Sequence, residues 1–303
     1  QERYPEGYPK TVNVNEFSCI TEIFDGFVKK YAELPAFTCL GQTMTYAQLD
    51  EKSAAFASFL QNETSLQAGD RIAVQLPNVL QYPVVVFGAM RAGIIVVNTN
   101  PLYTEREMEH QFNDSGAKAL VVLANFGDKV ERVVPKTGIK HVIVTNVGDM
   151  HCPLKRTLIN TVLKYVKKEV PAANIPGAIP LRKALSKGKG KPYTSAPATS
   201  DDIAVLQYTG GTTGVAKGAM LTHGNLMANM AQAYGVFKQV MNEGEETVIC
   251  PLPLYHIYAF TMHCMVLLQT GNHSILIPNP RDIPGFIKTL QKTDFSGFVG
   301  LNT

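Results

Sequence analysis

The sequence is poor in cysteine, and its cysteines form no C-x-x-C pair. There are five in 303 residues, at Cys19, Cys39, Cys152, Cys250 and Cys264. This spacing argues against a zinc site, and an odd number in a chain of this length is typical of reduced thiols. We therefore expect a cytoplasmic protein without a disulfide framework.

Long apolar runs are also missing. The longest, from Tyr82 to Val97, is interrupted by Arg91 and is shorter than the ~20 residues that a helix needs to cross a bilayer. It is predicted to be buried core. The chain as a whole is 45% hydrophobic, which is enough for a substantial core and argues against disorder.

The third absence is a strong excess of one charge. The 28 Lys and Arg residues face 25 Asp and Glu residues, and the net charge of +3 favours neither a nucleic acid nor an acidic partner. We expect no nucleic-acid binding. The basicity is local, because ten basic residues but only one acidic residue, Glu169, lie between Lys155 and Lys191.

This basic segment predicts an amphipathic helix that begins near Leu154. Apolar residues share one side of the helical wheel and basic residues the other: Leu158, Val162, Tyr165 and Val166 against Arg156, Lys164, Lys167 and Lys168. Two interpretations stay open. The helix can lie on an anionic membrane surface, or it can pack its apolar face on its own domain with the basic face solvated.

Strands alternate with helices along most of the chain, which predicts the α/β class with a mostly parallel sheet covered on both faces. Two capping boxes, Thr45 with Gln48 and Thr104 with Glu107, predict the starts of helices. Strands are predicted at 71–76, 94–97, 119–123, 141–145, 203–207, 219–222, 247–250 and 274–277.

Three regions are predicted. Residues 1–36 form an arm and a first helix, residues 37–200 a first α/β region, and residues 201–303 a second one. Residues 171–200, rich in Pro, Gly, Ala, Ser and Lys, mark the boundary, and Lys187 to Lys191 are expected to be mobile. A predicted strand near Phe298 is followed by no helix, so we expect a fold that is cut before its end.

One glycine-rich stretch stands out from the rest of the sequence. It reads Tyr208-Thr209-Gly210-Gly211-Thr212-Thr213-Gly214-Val215-Ala216-Lys217-Gly218. A predicted strand precedes it and a helical pattern begins near Asn225. Glycines allow the backbone to expose N–H groups, threonines add hydroxyls and lysine adds positive charge, which together suit a phosphate.

Two known phosphate motifs do not fit this stretch. The P-loop pattern G-x-x-x-x-G-K-[ST] fails because Lys217 follows Ala216 and precedes Gly218, and the dinucleotide pattern G-x-G-x-x-G is absent. On pattern alone, a glycine turn without any ligand stays open.

The stretch from Tyr208 to Gly218 resembles the phosphate-loop signature of the adenylate-forming superfamily, which includes acyl-CoA synthetases, luciferases and peptide-synthetase adenylation domains. Three further motifs are similar to those of the family: Thr45 to Leu49, Gly88 to Gly93, and Pro251 to His256. The resemblance covers essentially the whole chain and is strongest to bacterial long-chain fatty acid–CoA ligases. Glycine at positions 210 and 211 and alanine at position 216 depart from the serine and proline frequent in the family.

The resemblance implies activation of a long-chain fatty acid by ATP to an acyl-adenylate, followed by transfer of the acyl group to CoA. It implies that Thr209 to Gly214 and Lys217 hold the leaving phosphates, and that a hydroxyl of Thr212 or Thr213 contacts Mg²⁺. His256 would lie beside the fatty carboxylate, with Tyr255 and Tyr258 in the wall of the acyl pocket. The family's fold has an N-terminal domain of two packed α/β lobes, here expected to be truncated before its third subdomain and the C-terminal domain.

The resemblance also implies that the family's adenine- and ribose-binding segments and its C-terminal lysine lie beyond residue 303. We therefore expect an N-terminal portion that is inactive alone. The alternatives are an aryl or short-chain acid–CoA ligase, and a non-catalytic module that binds nucleotide or acyl ligand. Peripheral contact with the inner face of the membrane and oligomerisation are both left open.

Overall fold

A computed structural model describes residues 9–14, 16–209 and 216–301 of the chain. These residues form two compact units, and neither unit is continuous in sequence. The five-strand unit contains the described residues up to Asp50, then 198–202, then those from Leu221 onward. The seven-strand unit contains residues 51–197 and the described part of 203–220.

The helices and strands alternate in chain order. Up to residue 145 they are α1 (Ile20–Lys30), β1 (Pro35–Cys39), β2 (Gln42–Thr45), α2 (Tyr46–Glu63), β3 (Arg71–Gln75), α3 (Gln81–Arg91), β4 (Ile95–Asn98), α4 (Glu105–Ser115), β5 (Ala119–Leu123), α5 (Gly127–Val133) and β6 (His141–Thr145). After it they are α6 (Pro153–Thr161), β7 (Ile179–Pro180), α7 (Leu181–Gly188), β8 (Ile203–Thr209), β9 (Lys217–Thr222), α8 (His223–Phe237), β10 (Thr247–Cys250), α9 (Ile257–Ala259), α10 (Leu267–Gln269), β11 (His273–Leu276), α11 (Ile283–Lys292) and β12 (Gly297–Phe298). Two segments are π-helical. Val162–Val166 continues α6, and Phe260–Val266 joins α9 to α10.

The seven-strand unit is built on a sheet with the strand order β7-β6-β5-β3-β4-β8-β9. The strands from β3 to β8 pair in parallel. Central strands such as β5 are buried along their full length, because helices cover a parallel sheet on both faces and the strands must then be apolar on both sides. The predicted α/β class with mostly parallel sheets is confirmed.

The five-strand unit has the strand order β12-β10-β11-β1-β2, and only β1 and β2 pair antiparallel. A two-residue turn joins them, and both of its residues, Leu40 and Gly41, have positive φ of 47° and 70°. Such a turn matches the right-handed twist of a hairpin, and Gly41 adopts it without a steric penalty.

Both sheets cross the predicted regional boundaries. The strands β1 and β2 pair within the five-strand sheet although they precede residue 200 along the chain, and β8 pairs with β4 although it follows that residue. Parallel strands are matched by their hydrogen-bond ladders and apolar faces, and sequence neighbourhood does not decide the pairing.

The segment expected to be mobile is held in place. Lys187 and Lys191 form ion pairs with Glu63 at 2.6 and 3.0 Å, and Lys189 pairs with Glu51 at 2.7 Å. The backbone packs as well, because a Cβ added at Gly188 would overlap the carbonyl oxygen of Ala55. The expectation of mobility is wrong because α7 lies directly on α2.

Both capping boxes are present. The N–H of Gln48 donates to Oγ1 of Thr45 and the N–H of Thr45 donates to Oε1 of Gln48, so each residue caps the other. Thr104 and Glu107 form the same pair at the start of α4. Each box satisfies N–H groups that the first turn of a helix leaves unpaired.

Most of the predicted apolar face of the basic helix is exposed, so the interpretation in which this face packs on its own domain does not agree with the structure. Leu154, Leu158, Tyr165 and Val166 are 63–85% exposed. Val162, from the predicted apolar face, is half-buried together with Ile159 and Leu163. The π-helical segment from Val162 to Val166 changes the period of the helix and turns the later residues away from the positions that a regular wheel predicts.

In the described ranges, no helix is both long enough and apolar enough to cross a membrane.

Candidate functional site

The glycine-rich stretch begins at the end of β8 and ends at the start of β9. Tyr208 and Thr209 close β8, and Lys217 and Gly218 open β9. Gly210, Gly211, Thr212, Thr213, Gly214 and Val215 lie outside the described residues, so their phosphate and magnesium contacts stay predictions. Thr209 and Lys217, one on each side of that gap, are both exposed, which leaves the hydroxyl and the ammonium group accessible to an anion.

A buried polar cluster lies at the carboxyl edge of the sheet, directly before this stretch. Asn98 ends β4, and its register partner Gln207 lies one residue before Tyr208. The Asn98 side chain donates to Oε1 of Gln207 at 3.1 Å and accepts from the Tyr82 hydroxyl at 2.7 Å. Sequence reasoning missed this cluster, although polar residues at the ends of successive strands, Gln75, Asn98 and Gln207, were a visible signal.

Helix α4 contacts the stretch at both of its ends. The Tyr208 hydroxyl donates to Oδ2 of Asp114 at 2.5 Å. Nε2 of His110 lies 3.0 Å from the carbonyl oxygen of Ala216, and it must be the donor because a carbonyl only accepts. Burial, and then the neighbouring Asp114 carboxylate, raise the pKa of Tyr208 well above its ordinary value, so the phenol keeps its proton.

Gly218 is required by close packing. A Cβ at this position would lie 2.8 Å from Cε2 and 3.0 Å from Cζ of Tyr208. The Tyr208 ring, itself 8% exposed, therefore occupies the space that any larger residue at position 218 would fill. The two ends of the stretch are thus packed on each other.

The residues predicted around the acyl group lie in the five-strand unit. His256 is exposed and forms the N-cap of α9, where its Nδ1 accepts from the N–H of Tyr258 at 3.3 Å. The neutral ring then carries its proton on Nε2 and can donate from there. Tyr255 is half-buried and Tyr258 is 41% exposed. An ordinary buried histidine is excluded at position 256.

A second histidine, His263, is fully buried in the π-helical segment that follows α9. Its Nδ1 lies 2.9 Å from Oγ of Ser274, and burial lowers its pKa to about 3, so the ring is neutral at pH 7. Sequence reasoning assigned no chemistry to His263 or to His110, because neither has metal-ligand spacing.

The chemistry available for a resident metal is limited in the described parts of the chain. No group of three or more His, Cys, Asp or Glu side chains there is arranged to hold a metal ion. All five cysteines lie within the described residues, and none of them forms a disulfide there.

A cavity of about 620 Å³ in the seven-strand unit borders the exposed side of α4. Its walls include His110 and Asp114, which both contact the glycine-rich stretch, but none of the residues predicted at the acyl pocket.

Comparison with known proteins adds the family. A profile described as AMP-binding enzyme matches residues 24–303. The chain is 48% identical to long-chain-fatty-acid–CoA ligases of Salmonella typhimurium, over 301 residues, and of Haemophilus influenzae, over 304 residues. These alignments cover 99% and 100% of this chain but 54% of each relative, so the chain spans about half the length of the curated relatives it matches.

A solved structure of a long-chain-fatty-acid–CoA ligase from Archaeoglobus fulgidus shares the fold. It matches with a TM-score of 0.71 at 22% identity, over 91% of this chain and 50% of that one. With the profile match over nearly the whole chain, and with the glycine-rich stretch held between β8 and β9, this chain belongs to the family of AMP-binding enzymes.

Proposed function

We propose that the protein containing this chain is an AMP-forming long-chain fatty acid–CoA ligase. The observation that carries the proposal is the glycine- and threonine-rich stretch between β8 and β9, which follows the carboxyl edge of a parallel sheet and whose ends are held by α4. The 48% identity to ligases of that name supports the substrate class.

In the first half-reaction, a carboxylate oxygen of the fatty acid bonds to the α-phosphorus of ATP, and the bond from that phosphorus to the bridging oxygen breaks. Pyrophosphate leaves with the electron pair. Negative charge grows on the leaving group, where backbone N–H groups of residues 209–214 and the Lys217 ammonium stabilise it. Lys217 is exposed at the start of β9, so its charge is available to this group.

In the second half-reaction, the thiol of CoA releases its proton to solvent as its sulfur bonds to the acyl carbon, and AMP leaves with the electron pair of the acyl–oxygen bond that breaks. His256 acts in the first half-reaction, where its Nε2–H donates a hydrogen bond to one oxygen of the fatty carboxylate and orients the carboxylate for attack. Tyr255 and Tyr258 wall the acyl chain. An exposed donor whose other nitrogen is fixed by an N-cap is suited to such orientation, because the ring has one defined tautomer.

Mg²⁺ would neutralise the charge of the triphosphate, and we propose the hydroxyl of Thr212 or Thr213 as its contact on this chain. No step above depends on that contact.

The test is the exchange of labelled pyrophosphate into ATP. It is measured on the longer protein that contains this chain and on the 303-residue chain alone. We expect exchange that depends on a long-chain fatty acid in the longer protein and none in the chain alone. If exchange requires an aryl or short-chain acid, the proposed long-chain substrate is wrong and the protein is an aryl or short-chain acid–CoA ligase. ATP binding without exchange in the longer protein would support a binding module instead.

We further propose that α6 and the following π-helical segment dock on an anionic membrane surface, which places the protein at the inner face of the membrane. This part of the chain exposes apolar side chains that can insert into the membrane surface. Leu154 is 85% exposed and Tyr165 is 67% exposed. Lys164, Lys167 and Lys168 are exposed in the same stretch, and each basic residue near an anionic surface contributes about 1 kcal/mol. A helix with this arrangement lies in the plane of the interface.

Vesicle flotation tests this docking. We expect binding to vesicles of anionic lipid that weakens as salt rises, and little binding to neutral vesicles. Leu154→Ser with Tyr165→Ser should abolish it. Leu102→Ser, which changes a 57% exposed leucine elsewhere in the same unit, is the matched control and should bind normally. Equal binding to neutral and anionic vesicles would contradict the proposal, and so would a deficit shared by the control.

A further inference from the structure

Helix α4 lies against both ends of the phosphate stretch, and none of its residues belongs to the motifs from which the family resemblance was drawn. We infer that α4 is a clamp, and that His110 and Asp114 are positioning residues which set the separation and direction of the two ends for binding the triphosphate. This inference rests on the proposed function of the stretch.

The clamp itself is fixed. The capping box of Thr104 and Glu107 holds its first turn, and the Glu105 carboxylate pairs with Arg132 at 2.7 Å. Met108 and Phe112 are completely buried in the core of the seven-strand unit, in the same apolar cluster as Tyr208. A helix anchored in the core and at its start is a rigid reference for the residues that contact it.

The contact at the leading end is strong because one partner is charged and the other is buried. Asp114 accepts from the Tyr208 hydroxyl, and Tyr208 is the buried first residue of the stretch. A hydrogen bond to an ionised acceptor is roughly twice as strong as a neutral one. Tyr208 therefore cannot rotate without losing this bond.

The contact at the trailing end holds the backbone directly. His110 donates to the carbonyl of Ala216, the residue before Lys217. Because a peptide group is planar, fixing this carbonyl fixes the direction of the following N–H, which belongs to Lys217.

His110 and Asp114 are four residues apart on a helix, so they lie one above the other on the same face. The rise of about 1.5 Å per residue places them about 6 Å apart along the axis of α4, which sets the spacing of the two anchors. The Lys217 N–H is thereby directed before the triphosphate binds. A hydrogen-bond donor that is oriented before binding stabilises a growing negative charge at a lower cost in reorganisation free energy.

The inference is tested with Asp114→Ala and His110→Ala in the full-length protein. We expect each to raise the KM for ATP about tenfold, with the KM for the fatty acid within about twofold of wild type. Glu109→Ala is the matched control, because this carboxylate on the same helix pairs with Lys136 and not with the stretch. It should leave both constants unchanged.

The conservative variants separate positioning from mere stability. Asp114→Asn keeps an acceptor and His110→Gln keeps a donor, so both should restore most of the ATP affinity. Tyr208→Phe should resemble Asp114→Ala, and the two changes together should cost no more than either one alone, because both remove the same hydrogen bond. Additive effects in this pair would overturn the inference, as would a wild-type KM for ATP in both alanine variants.

Hydrogen exchange distinguishes failure of the inference from failure of the proposed function. If the wild-type protein does not turn over ATP, the proposed function fails. The clamp is then judged on the 303-residue chain by amide exchange in peptides that span 208–218. Faster exchange in Asp114→Ala than in Glu109→Ala supports the clamp, and equal exchange overturns it.

Discussion

Gly218→Ala is expected to weaken ATP binding through the Tyr208 ring. The added Cβ would lie 2.8 Å from Cε2 of that ring, whereas carbon atoms in favourable contact are about 3.5–4.0 Å apart. The ring cannot turn away without breaking its hydrogen bond to Asp114. Overpacking of this kind costs about 1–3 kcal/mol, which corresponds to roughly a 5- to 150-fold loss if it falls on the bound state.

The assay is the KM for ATP in pyrophosphate exchange, with thermal melting in parallel. Gly26→Ala is the control, since a Cβ there meets no atom within 4 Å. In a Tyr208→Phe background the ring is no longer tethered to Asp114, so Gly218→Ala should cost less there than in the wild type. An equal cost in both backgrounds would refute the reasoning, and so would a wild-type KM for ATP in Gly218→Ala.

Three further outcomes are expected. His256→Asn keeps an acceptor for the N–H of Tyr258 but removes the Nε2 proton, so it should melt like the wild type while activity falls about tenfold or more; unchanged activity would remove His256 from the site. Thr104→Ala should lower the free energy of unfolding by about 1 kcal/mol in a denaturant titration, because α4 loses its capping box; no change would show that the cap is redundant. Since burial lowers the pKa of His263 to about 3 from 6.5, the unfolded state binds more protons between these values. The contribution of the neutral His263 ring to the free energy of unfolding is therefore fully present above pH 6.5, and it is lost by up to about 1.4 kcal/mol per pH unit as the pH falls below 6.5. The His263→Asn variant should show a shallower dependence of the free energy of unfolding on pH. An unchanged dependence would contradict the assignment of this effect to His263.

Local patterns predicted the local structure. Thr45 with Gln48 and Thr104 with Glu107 mark helix starts because both partners of a capping box lie within one turn. The strands at 119–123 and 141–145 agree with β5 and β6 because apolar runs of this length are typical of buried strands. The family resemblance rested on motifs of the same local kind.

Contacts over long sequence distances were not predicted. Asp114 lies 94 residues before Tyr208, and His110 lies 106 residues before Ala216. No periodicity relates a helix to a loop so far along the chain, so the sheet topology had to be known before α4 could be assigned to the site. For the same reason the predicted regional boundaries could not anticipate the pairing of β1 with β11.

Helical periodicity correctly predicted an amphipathic element near Leu154, but it could not predict which of its sides is covered. A wheel separates apolar from polar residues and contains no information on the neighbouring elements. The π-helical segment at Val162–Val166 then changes the angular positions of Tyr165 and Val166, which a regular 3.6-residue period cannot anticipate.

The place of β1 in its sheet has a consequence for synthesis on the ribosome. Thr38 on β1 contacts His273 on β11, 235 residues later. At a translation rate of about 5–20 residues per second, β1 and β2 wait on the order of 10–50 s before their parallel partner is made. During that time β3 to β6 can already pair with one another. The hairpin formed by β1 and β2 is therefore the part of the chain with the longest exposure of an open strand edge, and we expect chaperones to bind there while the protein is being made.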